Sequence, residues 1–478
     1  MSHAREIAGA VDVLLPELAE LSDAIWAEPE LRWEEHASLR RQVEVARRHG
    51  FEIAEGIADL PTAFVAERGT GGPVIAFLGE YDALAGLDQQ AGVAEPRPRG
   101  GEAGPGHGCG HNLLGSGSLL AAIVLADRLR ERGLPGRVRY YGCPAEEAAA
   151  GKSFMVRAGV FDDVDVALSW HPHPVTTTRQ ILSLAYAQTR FRFVGVPAHA
   201  GVSPERGRSA LDAVELMNVG VNFLREHMPS TARVHYAITD AGGESPNVVQ
   251  ARAEAYYLVR AETVELMAEL LDRVVDIARG AALMTGTELV VDHEGASAEL
   301  LPNDVLELAL HGVAEELGGV PFDDADRATA APFAAVAEPR ALRLDRARAG
   351  LDGDGDAVLH DGLAPFCRDK PRTQTTGSTD VGDVSQVTPT VQIMVATSAL
   401  GTPAHSWQHV AQGTLPAAHK GMGFAAAVLA GTGLRLATEP DLLAAARAEF
   451  AERTRTDPYR TPIPEGTVPP PQRAGDHR

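Results

Sequence analysis

The sequence predicts an α/β protein: a first domain with a mostly parallel sheet and flanking helices, interrupted by an inserted α+β domain. Three observations predict it. Short apolar runs alternate with helical patterns through the first 186 residues, as the strands and crossovers of a parallel sheet do. From residue 187 the pattern becomes β-α-β-β-α-β, the order of a compact split unit. After residue 298 the first pattern returns, so the split unit is an insertion. The chain has 478 residues, too many for one ordinary core, and two domains accommodate that length. The expected boundaries are 1–186 and 299–455 for the first domain, 187–298 for the insertion, and 456–478 for a flexible tail.

The N-terminal segment is helical, because Ile7, Val11, Leu14, Leu18, Leu21 and Ile25 recur at helical spacing. It carries acids throughout and lacks the unbroken apolar stretch of a signal peptide. A buried strand follows at Val74 to Leu78. Leu119, Ile123, Ala126 and Leu129 then mark a helix. Further strands are expected at Val138 to Tyr141, Val166 to Trp170 and Val391 to Val395. In the insertion, "TRFRFVGVPAHAG…" reads strand, loop and helix, and "ARVHYAITDAGGESPNVVQARAEAYYLVRA" reads as two strands about a Gly/Pro/Asn turn. An amphipathic helix and a last strand complete it. The segment Asp323 to Pro371 is irregular, acidic and Gly-rich in part, and has no assigned element. The Pro-rich tail is expected to be loosely attached.

Composition excludes some functions. A net charge of -22 argues against a nucleic-acid partner. No run is read as long and apolar enough to cross a membrane. The three cysteines, Cys109, Cys143 and Cys367, form no disulfide framework, so a reducing, cytoplasmic setting is expected.

The chemistry gathers just past the strands. Glu80 and Asp82 follow the first, Glu146 and Glu147 the second, and His171 the third; His405 lies in the loop after the last. "GPGHGCGHNLLGSG" brings Cys109 and His111 to the helix start at the same edge. Sites in open α/β sheets form outside the carboxyl ends of the strands. Five separated segments therefore deliver Cys, His and Glu to one rim, and a thiolate with imidazoles suits a transition metal. Each piece has a plainer reading. The Gly-rich loop can be a tight turn around a buried Cys. The Glu pair can be a solvated helix N-terminus. The pair stands at a strand end, where neighbouring side chains of extended chain point in different directions, so one can bind metal while the other faces a reacting water. His173 rivals His171. His107 fits a bridging or, more often, an orienting role, and His36, His360, His409 and His419 read as structural or surface residues.

In order, these motifs resemble the M20 metallopeptidases and amidohydrolases, especially the branch of p-aminobenzoyl-glutamate hydrolases and N-acyl amino acid hydrolases. "GEYDAL", "GHGCGHNLLG", "PAEEAAAGK" and "SWHPH" resemble the catalytic-domain motifs, and "AEPELRWEEHAS" the end of the family's N-terminal helix. "VPAHAGVSPERGRSALDAV" and "GGESPNVVQARAEAYYLVRA" resemble its lid, and "GSTDVGDVSQVTPT" and "GTPAHSWQ" its C-terminal motifs.

The resemblance implies two divalent metal ions, zinc or manganese, held by Cys109, His111, Glu147, His171 and His405. It implies Glu146 as general base and Asp82 as the carboxylate that orients a ligand histidine. It also implies that the insertion is a lid that makes a homodimer. His235 would then reach the partner's site and steady the tetrahedral intermediate, while His199, Asn247 and Arg260 bind substrate. Glu80 stands where many di-metal relatives carry a histidine ligand. The implied reaction is hydrolysis of the amide of an N-acyl or N-aroyl amino acid. A dipeptidase acting on β-alanyl or lysyl-type dipeptides is the alternative within the family. A non-catalytic metal-binding partner protein is the alternative outside it, and the presence of both Glu146 and Glu147 argues against that one.

Overall fold

The computed structural model describes residues 3–100, 104–178, 181–367 and 372–469. In chain order its strands are β1 (Glu52–Glu55), β2 (Phe64–Thr70), β3 (Val74–Glu80), β4 (Gly136–Cys143), β5 (Val166–His173), β6 (Thr177–Thr178), β7 (Ile181–Leu182), β8 (Ala185–Val194), β9 (Arg233–Asp240), β10 (Arg252–Ala261), β11 (Glu288–Ser297), β12 (Thr373–Gln374) and β13 (Thr390–Ala396).

The larger sheet runs β1-β2-β4-β3-β5-β13-β6. Its four central strands, β4, β3, β5 and β13, are parallel and contain the four strands expected from sequence. Every residue of β3 is buried, as a strand covered on both faces requires. The flanks are antiparallel, so the sheet is mixed. The strand β1, "EIAE", is too short and too charged to announce itself.

The helices His111–Glu131 and Pro416–Thr438 pack together and with His3–Ala27 on this sheet. Both are long and apolar enough to span a membrane, which corrects the expectation that no run is. Their most apolar windows are 89% and 83% buried within the protein, so they are core helices here.

The smaller sheet is antiparallel, in the order β11-β8-β10-β9. Helices Ala210–Leu224 and Val264–Thr285 cover one face, burying Phe191, Phe193, Tyr257, Met217 and Val274. Ser209 and Thr263 cap the two helices by accepting from Asp212 N and Leu266 N. The strand β9 is an edge, and most of it is exposed.

Two segments differ from expectation. Residues 323–371 contain helices Asp324–Ala335 and Pro339–Arg348. Asp323 and Asp326 form a capping box at the first, and Glu338 caps the second with Pro339 at its first turn. Their acidic, Pro-punctuated sequence reads as loop because those residues serve as caps. The tail, expected to be loose, is anchored over part of its length. Ile463 is 2% exposed, and Tyr459 Oη donates to Asp383 at 2.6 Å. Residues 470–478 lie outside the described residues.

Candidate metal centre

The site begins with the ends of β3, β4 and β5, which stop side by side. Asp82 follows β3 and is buried. Its Oδ1 accepts from His111 Nδ1 at 2.8 Å, and its Oδ2 from the Glu147 amide at 2.8 Å. One carboxylate thus fixes both the His111 tautomer and the turn carrying Glu147. With Nδ1–H donating to Asp82, Nε2 carries the lone pair of His111. It is buried without a hydrogen bond, 3.3 Å from Glu80 Oε2 and 4.0 Å from Glu146 Oε2.

Gly110 makes the approach of the Cys109 loop possible. It has φ of 75° at the start of the helix, and a Cβ there would lie 2.9 Å from Pro172 and from His409 Nε2. The loop of His405 clasps the same turn. His405 N donates to Gly108 O at 2.9 Å, with His405 itself at φ of 53°.

Glu146 and Glu147 open a one-turn helix after Ala145, which has φ of 56°. The pair therefore does not lie in extended chain. The buried Glu35 holds the turn by accepting from Ala145 N at 2.8 Å.

Three overlapping sets of donor atoms lie mutually within 4.8 Å: Cys109/His111/His171, Cys109/Glu147/His405 and Glu80/His111/Glu146. Cys109 Sγ is 3.4 Å from His171 Nε2, and His405 Nε2 is 3.2 Å from Glu147 Oε1. A thiol, imidazoles and carboxylates at this spacing, with a buried imidazole nitrogen left unbonded, fit a divalent metal. His173 belongs to none of these sets; its Nδ1 accepts from Val175 N at 2.9 Å.

The electrostatics separate the two glutamates. Burial raises the Glu146 carboxyl well above its usual range, and Glu80 and Glu147 add to the effect. Burial would raise Glu147 too, but the hydrogen bond from His405 and the charge of His111 hold it at about 2. Burial also raises the Cys109 thiol, reinforced by Glu147.

A cleft of about 500 Å³ opens on these groups, lined on its far side by Tyr186, Gln188, Leu258, Arg260 and Ser378. Arg260 donates to Ser378 Oγ at 2.7 Å. The other expected substrate residues do not line this cleft. His199 and Asn247 are exposed, on segments joined by an Ala200 N to Asn247 O hydrogen bond. His235 sits on the edge strand β9 opposite Leu258, exposed, and outside the cleft lining.

Sequence reasoning missed Lys152. Its side chain is fully buried, with Nζ 2.7 Å from Glu80 Oε1 and 2.5 Å from Asp380 Oδ1. Burial would lower its pKa, but Asp380 and Glu80 keep it well raised. Asp380 belongs to "GSTD", Gly377 to Asp380, whose sequence reads as pocket lining and almost as well as a helix start. A lone lysine directly after an Ala/Gly run that follows two glutamates was the available signal.

The profile described as "Peptidase dimerisation domain" matches residues 185–283. The chain is 43% identical to one of the p-aminobenzoyl-glutamate hydrolase subunits of Escherichia coli, over 98% of each chain. It is 30% identical to the Xaa-Arg dipeptidase of Mus musculus, over 93% of this chain and 91% of that one. Among solved structures, an aminobenzoyl-glutamate utilization protein from Klebsiella pneumoniae superposes with a TM-score of 0.54 at 19% identity, covering 86% of this chain and 96% of that one. A Bacillus subtilis dinuclear metal-binding peptidase from the M20 family gives 0.51 at 20% identity, covering 87% and 99%.

Proposed function

The chain belongs to the M20 family of metal-dependent peptidases and amidohydrolases, and we propose that it hydrolyses the amide bond of an N-acyl or N-aroyl amino acid, of the p-aminobenzoyl-glutamate kind. The observation that carries this is the Cys109/His111/Glu147/His171/His405 cluster, with Glu146 beside it and Arg260 across the same cleft. The likeness to a p-aminobenzoyl-glutamate hydrolase chain supports the substrate class. The likeness to an Xaa-Arg dipeptidase favours a second reading, in which the acyl group is itself an amino acid.

In this reading the five clustered residues hold two divalent ions, zinc or manganese. Such ions supply Lewis acidity for the amide carbonyl and lower the pKa of water. Asp82 presents His111 Nε2 by engaging Nδ1. Glu146 takes the proton of the attacking water and returns it to the amine nitrogen as the C–N bond breaks. Its raised pKa suits a group that must carry a proton between those two events. Arg260 binds the carboxylate of the amino-acid half. His199 and Asn247 join it, and His235 steadies the oxyanion from a partner subunit, when the lid closes on a dimer.

Residues 1–186 and 299–455 are the catalytic domain in this proposal, and 187–298 the lid. A homodimer through the lid is supported by the dimerisation profile. It is supported too by apolar side chains exposed on β9 and the adjoining helix, with Tyr236 39%, Ile238 47% and Phe223 71% exposed. A cytoplasmic location agrees with three free cysteines.

The test is a panel of acyl-amino acids and dipeptides with metal-stripped and reloaded protein. Stripping should abolish amide hydrolysis, and manganese or zinc should restore it. Glu146→Gln should keep its metal and lose about 10²- to 10⁴-fold in kcat. Cys109→Ser should lose metal. Full activity in a verified metal-free sample would sink the proposal.

A further inference from the structure

A second cavity, of about 320 Å³, lies on the other side of the ligand cluster. It shares Cys109, His171 and Met394 with the polar cleft, so those three side chains stand between the two spaces. Its walls are mainly apolar, with Pro172, Pro174, Leu344, Met394, Pro403 and Ala404, and Asp345 and Arg348 of one helix also line it. One side is the helix Pro339–Arg348, which sequence alone left without an element.

That wall is fixed in place. Asp345 Oδ2 accepts from Gly401 N at 2.9 Å, tying the helix to the loop of His405. A Cβ on Gly401 would lie 2.8 Å from Ala337 Cβ and 3.2 Å from Leu342 Cα, so helix and loop are in close contact. A small separate core of Val175, Ala349, Ala364 and Leu400 supports the same corner. Leu344 nevertheless leaves 48% of its surface exposed, although it belongs to a braced helix beside the metal centre.

We infer that this cavity is the acyl subsite, and that it takes an aromatic or comparably bulky apolar acyl group. The inference rests on the hydrolase reading above and assigns a direction to its substrate. Glu146 lines the polar cleft and does not line the apolar cavity. A base that returns its proton to the leaving nitrogen must be on the amine side of the scissile bond. The amino-acid half therefore lies with Glu146, Arg260 and Ser378, where its carboxylate meets a guanidinium. The acyl half extends across Cys109 and His171 into this space, where a ring covers walls that are mainly apolar.

The experiment uses the full-length, metal-loaded protein and two probes that share an amine half: p-aminobenzoyl-glutamate and N-acetyl-glutamate. Leu344→Trp fills the cavity from an exposed position, and Ala404→Trp fills it from the opposite loop. Each should lower kcat/KM for the aroyl probe at least tenfold and change it less than twofold for the acetyl probe. Arg260→Ala should reduce both. Equal losses on the two probes in both cavity variants, or no loss on either, would overturn the assignment. Direct titration of p-aminobenzoate into the metal-loaded protein separates this from the hydrolase reading. If wild type cleaves no acyl-amino acid, the reading fails, yet the cavity still predicts binding that Leu344→Trp weakens tenfold or more. Binding unchanged by either tryptophan would overturn the cavity.

Discussion

Two buried ionisable residues at the site act in opposite ways. Lys152 is enclosed by Glu80 and Asp380, and the Lys152 amide also donates to Asp380 Oδ2 at 2.8 Å. Removing one partner of such a group leaves uncompensated charge, which costs about 3–5 kcal/mol. Lys152→Met should therefore lower stability by that order in urea unfolding, and a loss under about 1 kcal/mol would show that the ammonium is not the resident counter-charge. Glu35 is the reverse case. Burial, with Asp82 nearby, raises it from 4.5 to about 8. Folding then takes up a proton between those values, so the contribution of Glu35 to stability is lost as pH rises through that window. Glu35→Gln should flatten the decline in stability from about pH 5 to pH 8, by a few kcal/mol at most. Parallel slopes in wild type and variant would refute it.

At the scale of elements, the loop before helix His111–Glu131 is the most sensitive joint. Gly110→Ala meets both a left-handed backbone and the Pro172 ring, so it should destabilise by about 1–3 kcal/mol and reduce metal content together. Thermal unfolding with metal analysis checks this; unchanged metal content would show that Cys109 and His111 are placed by other means. The central strands were legible because strands buried on both faces are nearly continuous apolar runs, as in "VIAFL" and "VQIMV". Cys109, His111 and His171 stood out as candidates because each sits one step past such a run or at a Gly-marked turn, and Glu147 because it is half of an acidic pair just after one. Lys152 was not, since its partners lie 72 and 228 residues away. Helices Asp324–Ala335 and Pro339–Arg348 were hidden by their own caps, and the cavity that the second helps to wall was hidden with it.

At the scale of the whole molecule, subunit mixing tests the action of the lid. His235 stands exposed on an edge strand, outside its own cleft. In a symmetric dimer, each protomer lends the same residue to the other. His235→Ala and Glu146→Ala protomers, each inactive alone, should complement when mixed. Half of randomly formed dimers are mixed, and each has one intact site, so about a quarter of wild-type activity should return. Mixed dimers confirmed by mass that stay inactive would place the action of His235 within its own chain, or make it structural.

The interleaving of β5 and β13 has a consequence in time. Between His173, which ends one strand, and Thr390, which begins its parallel neighbour, the chain runs through 390 − 173 − 1 = 216 residues. At ~5–20 residues per second, a ribosome needs roughly 10–40 s to supply them. Throughout that interval the nascent sheet has an open, apolar edge at β5, the kind of edge that recruits foreign strands. Four of the five proposed metal donors have already emerged, and His405 has not. The growing chain thus meets cellular metal with an unfinished coordination shell, and the last donor arrives on the loop just after the strand that closes the edge.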